Sequence, residues 1–92
     1  MANRIRLDHQ AVDHVGREFL RAKGRSAEAA STLTSRVDAL GADWEGDSRI
    51  QFNGDWSECQ AQLKNLPAQL EAIGTQLQGI ARRFRELDES SR

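Results

Sequence analysis

One cysteine, one proline and no tyrosine occur in the 92 residues, and the aromatic complement is two tryptophans and three phenylalanines. A single cysteine cannot close an internal disulfide or build a metal cluster, so neither cross-linking nor zinc holds this chain together. Net charge is lacking too: 13 basic and 14 acidic residues are interspersed and leave a formal charge of -1. Such a balance gives no overall field to draw nucleic acid or an anionic membrane. No apolar run approaches the roughly 20 residues of a membrane span, and residues 1–14 lack the apolar core of a signal peptide. Synthesis and folding in the cytoplasm are therefore expected. There is no glycine-rich phosphate loop, no nucleophile elbow and no pair of carboxylates in a pocket that slender helices could enclose, so the sequence reads as non-catalytic and without cofactors.

What the chain has is helical periodicity. Between Asp8 and Leu40 the residues Val12, Val15, Phe19, Ala22, Ala30, Leu33, Val37 and Leu40 recur at three and four with one slip near Ser26, the spacing of one helix face. The first helix is placed at about 8–40, with Asp8 as N-cap and Gly41 as stop. Gly16 and Gly24 each weaken that helix by about 1 kcal/mol relative to alanine, which predicts a second helix passing close beside them. The small residues Ala27, Ala29, Ala30 and Ser31 allow the same approach.

The second half is more regular. Phe52, Trp56, Cys59, Leu63, Leu66, Leu70, Ile73, Leu77, Ile80, Phe84 and Leu87 alternate four and three without a break, and a repeat held in phase over such a length requires a partner along it. The second helix is placed at about 48–88, capped by Asp47 or Ser48; Asp55 with Glu58 offers a later capping box, but Phe52 already belongs to the repeat. Pro67 is expected to bend this helix without ending it. Cys59 is expected to be a small buried apolar residue of the seam. Two such helices, roughly 50 to 60 Å long, fold all-α as an antiparallel hairpin across a turn at about 41–47. One hairpin buries too little for stability without disulfides or metals, so two are expected to associate as a four-helix bundle. The residues assigned to the hairpin or dimer core are Phe19, Leu33, Val37, Trp56, Leu63, Leu66, Leu70, Ile73, Leu77 and Ile80. A homodimer is favoured, a heterodimer stays open.

The turn holds both a clue and an oddity, since Trp44 and the nearby Trp56 are large apolar rings beside Gly41, Gly46 and Gly54. Trp44-Glu45-Gly46 near the middle of a chain slightly under one hundred residues, between two amphipathic helices, resembles the WXG (ESAT-like) family. The resemblance spans the whole chain. It implies a small dimeric helical hairpin secreted by a type VII (ESX) system without a cleaved signal peptide, with the system's ATPase as a partner. Trp44 itself is read as a plug of the hairpin turn, with a partner surface as a compatible alternative, and Gly46 as supplying backbone freedom or close approach at the start of the second helix. In that family export often depends on a tyrosine followed four residues later by an acid. Here Phe84 and Asp88 stand at that spacing. Two readings of the pair stay open: an export signal, or a last core aromatic followed by a surface acid.

Other constellations carry less. His9 and His14 lie five apart beside Asp8 and Asp13, whereas helical metal pairs sit four apart, so these are assigned as solvated polar residues and no metal is expected. Arg17, Arg21 and Arg25 form an i, i+4, i+8 stripe, read as a solvated face, with nucleic-acid binding as a weaker alternative. Arg82, Arg83 and Arg85 complement the dipole at the end of the second helix. An unexported cytosolic coiled-coil adaptor is the competing function.

Overall fold

The computed structural model describes residues 7–41 and 44–90. Ala42 and Asp43, which fall in the expected turn, lie outside the described residues. Two helices make up the fold, α1 over His9–Leu40 and α2 over Asp47–Ser90, and no strand occurs among the described residues.

Local chemistry sets the helix ends. Asp8 is extended, and its Oδ1 accepts hydrogen bonds from the backbone N–H groups of Gln10 at 3.0 Å and Ala11 at 3.2 Å. Two donors that the first helical turn leaves without partners are thereby satisfied. At the other end the Gly41 N–H donates to the Asp38 carbonyl at 3.2 Å. Gly41 stays in the right-handed region, at φ -61°, so it stops α1 without the left-handed turn common at glycine C-caps. Gly46 is the glycine that uses its freedom: its φ is +108°, and its carbonyl accepts from Arg49 and Ile50 to begin α2. α2 then runs unbroken through Pro67.

The two helices lie antiparallel. Arg49 meets Gly41 beside the turn, Lys23 pairs with Glu71, Gly16 meets Gly74, and His9 approaches Asp88 at the open end. The helices approach closely at two glycines: a Cβ added at Gly74 would lie 2.8 Å from the Gly16 carbonyl oxygen, and one at Gly16 would lie 3.0 Å from the Gly74 oxygen. Among the described residues only Gly16, Gly74 and Ala81 are buried, and no large side chain is fully buried. The result is a rod of 70 × 24 × 14 Å whose interior is a single line of contact.

Within that line Phe19, Val37, Trp56, Leu63, Leu66, Leu70, Leu77 and Ile80 are half-buried, while Leu33 and Ile73 are exposed. Two expectations need correction. Nothing comes within 4 Å of a Cβ at Gly24, so the close helix passage belongs to Gly16 and not to both glycines. Cys59 is exposed and not buried. The seven-residue repeat of α2 contains two stripes, and in that of Cys59 the residues Cys59, Ile73 and Leu87 are exposed while Leu66 and Ile80 are half-buried, so this stripe lies at the edge of the contact with α1.

Candidate functional site: the turn and the two flanks of the hairpin

At the turn, Trp44 lies back on the first turns of α2. Its ring centroid is 5.1 Å from that of Phe52 at an interplanar angle of 43°, a tilted contact of the kind aromatic rings favour. Its indole Nε1 donates to Ser48 Oγ at 3.1 Å. Arg49 holds the chain on both sides of the turn, since its Nη1 donates to the carbonyls of Gly41 at 2.7 Å and Trp44 at 2.8 Å. The positive φ of Gly46 lets the backbone reverse between the ring and the helix it covers. Val37 and Trp56 line the same cleft from behind. Both indoles are half-buried in the hairpin.

Away from the turn, the hairpin has two unlike flanks. A helix advances about 100° per residue, so on α2 the stripe Trp56, Leu63, Leu70, Leu77 and Phe84 faces α1. One step around lies the stripe Cys59, Leu66, Ile73, Ile80 and Leu87. One step the other way come the buried Gly74 and Ala81 and then Gln78 and Arg85. On α1, Gly16 faces α2; Val15, Ala22, Leu33 and Leu40 fall to one side, and Gln10, Asp13 and Arg17 to the other. Antiparallel pairing puts the two apolar sets on the same flank. Exposure agrees: Val15, Leu33, Leu40, Ile73 and Leu87 are 42–62% exposed, an apolar strip on a small rod that monomeric proteins seldom leave open.

The opposite flank is polar. Near the open end it forms a groove with Gln10, Asp13 and Arg17 on one wall and Gln78, Arg82 and Arg85 on the other. Sequence reasoning missed this convergence, because it assigned the two arginine clusters separately to a solvated stripe and a helix terminus. The antiparallel register, once combined with the heptad, is the signal that could have found it.

The remaining candidates disperse. His9 Nε2 lies 3.8 Å from Asp88 Oδ2 across the open end, while His14 Nε2 lies 3.4 Å from Glu18 Oε1 on its own helix. Among the described residues no group of three or more His, Cys, Asp or Glu side chains is placed to hold a metal ion. Phe84 is half-buried, and Asp88, one turn later, is exposed and approaches His9 in the first turn of α1. No helix of the described residues is long and apolar enough to cross a membrane.

Comparisons with known proteins bear on this Trp-x-Gly turn and on the hairpin around it. Residues 4–89 match the WXG100 family, described as proteins of 100 residues with WXG. The chain belongs to the WXG100 family. No curated protein matches it. Among solved structures, this WXG100 hairpin is similar to the secreted protein EsxB from Bacillus anthracis str. Sterne. The selenomethionine-labelled crystal structure gives a TM-score of 0.76 at 24% identity, covering 92% of this chain and 97% of that one. A mutant form gives 0.76 and 24%, over 92% and 94%. The wild-type form in another crystal setting gives 0.74 and 23%, over 89% and 94%. At such identity the likeness carries the fold, a two-helix hairpin.

Proposed function

We propose that this WXG100 protein is a non-catalytic substrate or co-secretion partner of a type VII (ESX) secretion system, exported as a four-helix bundle of two hairpins. The observation that carries the reading is the apolar flank. A rod whose only buried described residues are two glycines and an alanine has no large core, and the strip from Val15 to Leu40 and from Leu66 to Leu87 supplies one as soon as a second hairpin covers it. Membership of the family and the likeness to a protein described as secreted support the export half. The second hairpin is another copy of this chain, since the apolar strip of each copy can cover that of the other across a two-fold axis. Phe84 and Asp88, an aromatic and an acid one turn apart, form the signal that the secretion ATPase grips, and Trp44 with Gly46 shapes the turn.

Secretion of the native chain and of F84A and D88A variants, assayed in culture supernatants of a host with the type VII system, tests this. Export of the native protein and its loss in either variant is the expected result. Unchanged export of both variants removes the signal. A native chain that stays in the cell removes export altogether and leaves the cytosolic coiled-coil adaptor.

A further inference from the structure

Arg17 and the pair Arg82 and Arg85 are far apart in sequence, yet they face each other across the polar groove at the open end of the hairpin. On α1 the wall is built at i, i+3, i+7 by Gln10, Asp13 and Arg17; on α2 it is built at i, i+4, i+7 by Gln78, Arg82 and Arg85. Each set therefore lies along one face of its helix. Between them the floor is Ala81, buried to 4% exposure, whose methyl leaves a trough of about 610 Å³. Asp13 is the one carboxylate on the walls, and its Oδ2 lies 3.3 Å from Arg17 Nη2. Among the described residues no ion pair engages Arg82 or Arg85.

We infer that this groove is a binding site for a phosphoryl anion. Guanidinium groups recognise carboxylate and phosphate alike, through paired N–H donors. A carboxylate offers its oxygens in one plane and suits one fork, whereas these forks come from opposite walls. A tetrahedral phosphoryl group presents oxygens in several directions and can meet both, with the amides of Gln10 and Gln78 adding neutral donors. Asp13 holds Arg17 when the groove is empty and competes with the ligand for it. The groove lies on the flank opposite the apolar strip, so it stays open when that strip is covered. Its walls extend only from about His9 to Arg17, roughly 12 Å along the helix, which suits one or two phosphoryl groups and not a polynucleotide track.

Titrating the full chain with inorganic pyrophosphate at low ionic strength, followed by amide and arginine side-chain NMR shifts, tests the site. Saturable shifts confined to residues 9–17 and 78–85 are expected. The double variant R82Q/R85Q weakens binding at least roughly tenfold, the scale of losing charge-assisted hydrogen bonds. D13N tightens it several-fold by removing a like charge and releasing Arg17. R21Q/R25Q, elsewhere on α1, leaves it unchanged. Shifts that never saturate, or an equal loss in R21Q/R25Q, mean diffuse attraction of polyanions and overturn the site. Cosedimentation with phosphatidylcholine vesicles containing phosphatidic acid separates the sources: capture abolished by R82Q/R85Q identifies a lipid headgroup, and no capture alongside saturable pyrophosphate binding identifies a soluble phosphoester.

Discussion

A methyl group added at Gly74 would sit 2.8 Å from the Gly16 carbonyl oxygen and 3.0 Å from Leu20 Cδ2. The leucine can turn aside, but the backbone oxygen cannot, so the helices would have to part. Overpacking of this kind costs about 1–3 kcal/mol, against a gain of about 1 kcal/mol from replacing a helical glycine. Gly74→Ala is therefore expected to lower Tm by several degrees at fixed protein concentration. Gly24→Ala meets nothing within 4 Å and keeps the propensity gain, so it should raise Tm by about 4–8 °C, the shift expected per kcal/mol in a domain of this size. Thermal scans of the two variants read opposite signs from one chemical change, and a shared sign would contradict the close crossing. Gly46 belongs to a third case. Nothing crowds it, but its φ of +108° is a conformation that side chains resist, and Gly46→Ala should cost on the order of 1–3 kcal/mol with the burial of Trp44 disturbed, which indole fluorescence reports. Sequence alone raised Gly16 and Gly24 together because both interrupt a helix. Only the register tells the crossing from the open position, and Gly74 attracted no notice inside so regular a repeat.

At the scale of the helix, the N-cap of α1 was the most legible feature, whereas Asp47 and Ser48, expected to cap α2, lie inside that helix and the Gly46 carbonyl begins it. Asp8 is a short acceptor immediately before a periodic run, and its carboxylate takes two backbone donors. Asp8→Ala removes both acceptors from the start of α1 and is expected to cost about 1 kcal/mol, measured as a fall in denaturation midpoint without change in slope. The far end of α1 was legible only in position. Gly41 marks the stop but keeps a right-handed φ of -61°; the Arg49 guanidinium, eight residues on, ties down its carbonyl, and no local rule points that far along a chain. The seam of α2 was legible as a repeat but not as a direction. Both stripes are apolar, and a single partner helix can cover only one. Trp56, Leu63, Leu70 and Leu77 took that place; of the other stripe Leu66 and Ile80 are half-buried at the edge, and Cys59 and Ile73, equally in phase, lie exposed.

The whole molecule inherits that surplus stripe. A rod 70 Å long and 14 Å thick cannot turn both apolar stripes of α2 inward with one partner, so the second must meet another chain or water. If it meets a second copy, a charge placed on the strip breaks association while one placed elsewhere does not. Ile73→Glu and Leu33→Glu both insert a carboxylate between hairpins, where an unpaired charge loses its hydration, and each is expected to weaken dimerisation at least roughly tenfold. Ile50 is the control: it is 71% exposed but lies off the strip, and Ile50→Glu should leave the dimer intact. Sedimentation equilibrium across protein concentrations measures all three, and the native Tm should rise with concentration because association stabilises only the folded chain. A native chain that sediments as a folded monomer at every concentration would mean the half-buried contacts along α1 and α2 suffice alone. A native chain that is unfolded alone and ordered by a second protein would give the strip to a different partner. Only a concentration-dependent dimer sensitive to residues 33 and 73, and indifferent to residue 50, fits two copies meeting along the apolar flank.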